Sequence, residues 1–192
     1  MYVRDGLTVN GSVLLGDSAG TTNGILAFTT TQTVTGSGEI VMGGSTGNTM
    51  RLQASNITVT LDSSLNIHGK SGSFDQFAAV GTTWVNQGTI AADVSGGAIT
   101  LAGGGTSWTN SNGGFSASSG ATITISSTIT NTSSTLTLSG SGRVQLLNGT
   151  IIGGTVAGTL TGIAGGTLDG VTLAGTLDLT NPEGFSCMCA TA

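Results

Sequence analysis

The chain carries little charge. Four Lys/Arg and nine Asp/Glu residues make up 7% of its 192 residues, against roughly 25% in a typical soluble domain. The four basic residues are scattered along the sequence, at Arg4, Arg51, Lys70 and Arg143. Because binding to a phosphate backbone requires clustered Lys and Arg, we expect no nucleic-acid partner.

Long apolar runs and a leader are also missing. No run approaches the roughly 20 apolar residues that span a bilayer, so we expect no transmembrane segment. The first residues, Met1 to Asp5, contain no apolar signal-peptide core. This favours an internal piece of a larger protein or another export route.

Cysteine is confined to the C-terminus, at Cys187 and Cys189. Two thiols one residue apart are poorly placed to bond each other and too few for a zinc site. The pattern changes at Pro182, and we expect residues 181–192 to form an irregular tail; linkage to another chain through the cysteines is the alternative. No sequence feature predicts a cofactor or a metal.

Glycine and alternating apolar residues are abundant. The chain has 34 Gly and 37% hydrophobic residues, with a mean hydropathy of +0.29. Segments such as Ile57-Thr58-Val59-Thr60-Leu61 alternate apolar and hydroxyl side chains, which is typical of a strand with one buried face. Gly, Asn and Ser between such segments indicate turns. The composition therefore predicts an all-β fold and argues against a disordered chain.

A short repeat indicates how the strands are arranged. Residues Gly81 to Asn86 (GTTWVN) recur as Gly105 to Asn110 (GTSWTN), an offset of 24. A unit of this length cannot bury its apolar face alone, but stacked units bury a continuous core. We therefore predict a right-handed parallel β-helix (β-solenoid) of about 24 residues per rung. An antiparallel sandwich also has alternating strands, but it would not give this repeat.

A longer echo relates the two ends of the sequence. Residues 5–15 resemble residues 169–179 at an offset of 164. We interpret residues 1–180 as one β-helix module, made of a unit of about 164 residues and the first rung of the next. Unpaired strand edges at the ends of a solenoid favour end-to-end self-association.

Two segments carry a family resemblance. Val85 to Ile90 (VNQGTI) and Gly165 to Leu173 (GGTLDGVTL) are similar to repeats in the β-helix passengers of bacterial autotransporters and filamentous-haemagglutinin-like adhesins. The resemblance implies a secreted or surface-exposed bacterial protein with a structural or adhesive role, whose partners are cell-surface glycan or matrix. It carries over no catalytic residue.

Candidate binding residues are aromatic or hydroxyl-bearing. Trp84 and Trp108 lie one rung apart, and exposed indoles would form a platform for sugars; a buried stack is the alternative. Thr-x-Thr pairs on one flat face would form a hydroxyl-methyl grid suited to ice or glycan, although Thr is also an ordinary outward strand residue. Such pairs also occur at Thr33/Thr35 and Thr128/Thr130, and the candidate pairs are Thr58 and Thr60, Thr122 and Thr124, and Thr135 and Thr137.

The sequence gives little indication of a catalytic site. Some β-helix proteins are carbohydrate-active enzymes, which require paired carboxylates or carboxylates with basic partners. Asp62 and His68 are six residues apart and could meet around a rung, but a solvated histidine is the alternative. We predict that the chain is not an enzyme; a carbohydrate-active fragment is the least favoured hypothesis.

Overall fold

The computed structural model describes residues 1–77 and 79–180. This part of the chain folds into short β-strands without any helix. In chain order they are β1 (Tyr2–Val3), β2 (Leu7–Thr8), β3 (Ser12–Leu15), β4 (Ile25–Phe28), β5 (Gln32–Thr35), β6 (Glu39–Met42), β7 (Thr49–Leu52), β8 (Thr58–Leu61), β9 (Asn66–Gly69), β10 (Ser71–Gln76), β11 (Thr82–Asn86), β12 (Thr89–Ala92), β13 (Ala98–Leu101), β14 (Thr106–Asn110), β15 (Gly114–Ala117), β16 (Thr122–Ile125), β17 (Thr128–Thr130), β18 (Thr135–Ser139), β19 (Arg143–Leu147), β20 (Thr150–Ile152), β21 (Thr155–Ala164), β22 (Thr167–Asp169) and β23 (Thr172–Asp178).

Every third strand returns to the same face of a coil. Face 1 is formed by β1, β4, β7, β10, β13, β16 and β19; face 2 by β2, β5, β8, β11, β14, β17, β20 and β22; and face 3 by β3, β6, β9, β12, β15, β18 and β23. The long strand β21 pairs with β18 through its first half and with β19 through its second half, so it turns the corner from face 3 to face 1. The strand pairs of the described residues are parallel, which confirms the predicted β-solenoid and excludes the antiparallel sandwich. Its right-handed winding stays a prediction.

The rung length is close to 24 residues but varies. Trp84 pairs with Trp108, 24 residues further on, as the repeat predicts. The offset rises to 27 between Val34 and Leu61 and falls to 17 between Ile151 and Leu168. Because register within the sheet is kept, the difference is absorbed by the corners.

The core is a column of apolar side chains inside the coil. Side chains alternate inward and outward along each strand, and most inward positions are aliphatic or aromatic. In face 2, Val59, Trp84, Trp108, Ile129 and Ile151 follow one another on successive rungs. Each rung thus shields the apolar side of the next, which no single rung could do.

One inward column of face 2 is polar. Asn86 and Asn110 pair in register, and both are buried together with Asn131. The Asn110 amide Nδ2 donates to Asn131 Oδ1 at 2.8 Å and to the Thr135 carbonyl at 3.1 Å. These bonds satisfy the amide donor of Asn110 and tie face 2 to the corner leading to face 3, whereas the Asn110 Oδ1 atom has no hydrogen-bond partner among the described residues.

Residues that match in the 164-residue echo lie on different, neighbouring faces. Leu7 and Thr8 form β2 in face 2, whereas Thr172 opens β23 in face 3. The division of residues 1–180 into one long unit and a first rung stays a prediction. The predicted tail, residues 181–192, lies outside the described residues, as do Cys187 and Cys189.

Candidate binding face

The two tryptophans are buried. Trp84 is 0% exposed and Trp108 is 1% exposed, and their rings stack with centroids 5.9 Å apart. Phe74 packs edge-on against both indoles, at 5.4 and 5.3 Å. The hypothesis of an exposed sugar platform is therefore wrong, because both indoles occupy inward positions of their strands. The buried stack is the arrangement that forms.

The three predicted threonine pairs do not share one face. Thr58 and Thr60 lie on β8 in face 2, whereas the second pair lies on β16 in face 1 and the third on β18 in face 3. The prediction of a single grid made of these pairs is therefore wrong. Sequence spacing could not reveal which threonines stack, because the rung length varies.

The second pair, Thr122 and Thr124, has charged and polar neighbours in face 1. Thr122 pairs with Arg143 of the next rung, and Thr124 pairs with Gln145. The Gln145 amide Nε2 donates to Thr124 Oγ1 at 2.9 Å, so an amide and the guanidinium of Arg143 interrupt the hydroxyls of this face. Thr122 and Thr124 are therefore removed from the candidate grid.

The third pair, Thr135 and Thr137, lacks a continuing column of hydroxyls in face 3. Thr137 is exposed, but its partners on the two neighbouring rungs are Gly114 and Ala157, and neither bears a hydroxyl. Thr135 pairs with Thr155 alone, at the start of β21. Thr135 and Thr137 are therefore also removed from the candidate grid.

Face 2 nevertheless assembles a hydroxyl array, which combines Thr58 and Thr60 with residues that were not among the candidates. Its first outward column carries a Thr or Ser on six successive rungs: Thr58, Thr83, Ser107, Thr128, Thr150 and Thr167. Its second outward column contains Thr33, Thr60, Val85, Thr109, Thr130, Ile152 and Asp169. Of the predicted residues, Thr58 and Thr60 therefore belong to this array. The Oγ atoms of Thr83 and Ser107 are 3.0 Å apart, so neighbouring rungs also bond through their side chains.

The strands of face 2 from β5 to β20 contain no charged residue. Face 1 carries an ion pair between adjacent rungs, with Arg51 Nε 2.9 Å from Asp75 Oδ1. Face 3 carries Glu39 and His68. From β5 to β20, face 2 is thus an uncharged hydroxyl surface, whereas faces 1 and 3 carry ionisable side chains.

His68 does not meet Asp62. Its Nε2 lies 3.2 Å from Glu39 Oε2 and its Nδ1 lies 2.9 Å from Asp93 Oδ2. Asp62 instead accepts hydrogen bonds from the backbone and hydroxyl of Ser64. The possible contact between Asp62 and His68 does not form. His68 belongs to a Glu39–His68–Asp93 bridge across three rungs, which sequence spacing could not identify because its members are 25 and 29 residues apart.

The bridge on face 3 is an ordered polar network. The Ser12 hydroxyl donates to Glu39 Oε1 at 2.6 Å. This bond, and then the contact with His68, holds the pKa of the Glu39 carboxyl below its ordinary value of 4.5. Ser12 contacts Glu39 and not His68, so the order differs from a nucleophile–base–acid triad. The geometry of the Glu39–His68–Asp93 bridge is suited to cross-linking neighbouring rungs.

Metal ligands do not converge within residues 1–77 and 79–180. No group of three or more His, Cys, Asp or Glu residues in these ranges is placed to hold an ion. Both ring nitrogens of His68 are already directed at different carboxylates. In the same ranges, no helix has the length and hydropathy needed to cross a membrane.

Comparison of the chain with protein-family models, curated proteins and solved structures found no match. The strand pairing of the chain itself establishes the fold.

Proposed function

We propose that this chain is a structural and adhesive segment, without catalytic activity, of a large secreted or surface-exposed bacterial repeat protein. One observation carries the proposal: the rungs stack in parallel around a continuous core. Each rung contacts its neighbours alone, so length is added by adding rungs. Such a stack is suited to hold other parts of a protein at a fixed distance from a surface.

The dimensions agree with a spacer. Face 2 stacks eight strands, and neighbouring strands lie about 4.8 Å apart, which gives a rod of about 34 Å. A flexible linker of the same length would not keep its ends apart. Repetition of such modules would extend the rod in steps of similar size.

The resemblance of residues 85–90 and 165–173 to autotransporter and haemagglutinin-like passengers supports the cellular setting. It suggests an extracellular or cell-surface location, with glycan or matrix as partner. End-to-end contact between copies is part of the same proposal, because β23 pairs with β21 alone among the described strands.

Cell-surface labelling tests the proposal. An antibody raised against this chain should label intact cells of the source organism, and external protease should remove the signal. In immunoblots of unproteolysed cells, the antigen should migrate far above the 18.7 kDa of this chain. Labelling that appears only after the cells are permeabilised would contradict the proposal.

A further inference from the structure

Face 2 presents a two-dimensional lattice of hydroxyl and methyl groups. Neighbouring rungs repeat about every 4.8 Å, and outward residues along a strand repeat about every 6.7 Å. The column from Thr58 to Thr167 supplies a hydroxyl on each of six rungs. Beside it, Thr60, Thr109 and Thr130 add a second, partial column.

The lattice is regular because the pairing is regular. From β8 to β22 the parallel register of face 2 continues without a shift. In face 1, by contrast, the register shifts between Leu146 and Leu147. A bulge of that kind alters the local twist and disturbs the spacing of side chains, so face 2 is the more even surface.

The chemistry of face 2 favours an uncharged, repeating ligand. The strands of face 2 from β5 to β20 have no ionisable side chain. They therefore carry no group that binds its own hydration shell tightly or recognises a charged partner. They also have no outward aromatic ring, since Trp84 and Trp108 point inward. Because sugars are commonly held against aromatic faces, this surface is poorly suited to a sugar ligand. A lattice of water molecules needs neither feature, and it can donate hydrogen bonds to the remaining lone pairs of the hydroxyl oxygens.

We propose that face 2 binds ice. Water ordered over the hydroxyls of Thr83, Ser107 and Thr128 joins the crystal lattice, while the methyl groups of the intervening threonines and of Val85 fill the spaces between. The two-column strip from Thr58 to Ile152 is the contact surface. Binding of this kind is independent of the cellular location of the protein.

The test uses ice itself as the probe. The full chain is frozen slowly into an ice hemisphere, and the fraction incorporated is measured together with thermal hysteresis. Thr109→Lys places a long, charged side chain at the centre of face 2, and Thr130→Lys does the same one rung further on. Thr100→Lys is the matched control, because Thr100 is a half-buried outward threonine on β13 in face 1.

The wild-type chain and Thr100→Lys should enter ice and show hysteresis, and both face 2 variants should lose incorporation and hysteresis. Circular dichroism and thermal melting check the fold, and if Thr109→Lys fails to fold, Thr130→Lys decides. Exclusion of the wild-type chain from ice would overturn the proposal. Equal loss in a folded Thr100→Lys would also overturn it, as would retention on insoluble cellulose or chitin in place of ice.

Discussion

The indoles of Trp84 and Trp108 stack inside the solenoid, one rung apart, with their planes 27° from parallel. Replacing Trp84 with alanine removes the largest type of side chain from a fully buried position and leaves a cavity. We expect a loss of about 3–5 kcal/mol in the free energy of unfolding, measured by urea denaturation. The exposed-face variant Thr130→Ala should change it by less than about 0.5 kcal/mol. Similar denaturation midpoints for the two variants would contradict the buried stack.

The buried amide column should also contribute to stability. Asn110→Ala removes the donor to Asn131 Oδ1 and to the Thr135 carbonyl, and leaves both acceptors without that bond. We expect a loss of about 1–3 kcal/mol in the free energy of unfolding. Asn66→Ala, at an exposed position of β9, is the matched control and should have little effect. A neutral Asn110→Ala would show that these amide bonds do not stabilise the fold.

Part of this architecture follows from the sequence. Alternation and the 24-residue echo predict a parallel solenoid, because few other folds use both. The orientation of β11 could not be predicted, since its inward set (Thr82, Trp84, Asn86) is more polar than its outward set (Thr83, Val85). The hydroxyl array could not be predicted from the sequence either, because rungs of 17 to 27 residues bring together threonines at irregular sequence spacings.

Corner geometry depends on glycine at Gly36. Its φ of 115° is unfavourable for L side chains, and an added Cβ would collide with the backbone of Val9. We expect Gly36→Ala to lower the free energy of unfolding by more than about 4 kcal/mol, since strain and collision combine. Gly96→Ala is the control, because Gly96 has a φ of 66° and open space around its Cβ position. Gly96→Ala should lower the free energy of unfolding by only about 1–2 kcal/mol. Equal melting temperatures for the two variants would contradict this account of the corner.

Acid should weaken the network on face 3. The pKa of Glu39 is lowered in the folded chain, first by the Ser12 hydroxyl and then by His68. A depressed carboxyl pKa stabilises the fold above the ordinary value of 4.5, and this contribution is lost as the pH falls through the folded-state pKa. Melting temperatures from pH 7 to pH 3 should therefore fall more steeply for the wild-type chain than for Ser12→Ala. Parallel curves would show that the Ser12 bond does not shift the Glu39 pKa.

End-to-end association should depend on the last described rung. Leu173 on β23 pairs with the buried Val156 of the rung before it, yet it remains 39% exposed. Leu173→Lys should shift the chain towards monomer in light scattering, because a charge at this position opposes stacking. The control Val94→Lys alters an apolar side chain of similar exposure (44%) in the middle of the stack, between β12 and β13, and should leave association unchanged. A wild-type chain that stays monomeric at high concentration would contradict the expectation.

The stacking of parallel rungs is tested most directly by distances between spin labels on face 2. Cysteines for labelling are introduced at outward positions of the second column, with Cys187 and Cys189 replaced by serine. Backbone separations should grow by about 4.8 Å per rung: about 10 Å for Thr60–Thr109, about 19 Å for Thr60–Ile152 and about 24 Å for Thr33–Ile152. This linear increase is the predicted result. Separations that do not increase with rung number, as in a sandwich of antiparallel hairpins, would contradict the solenoid.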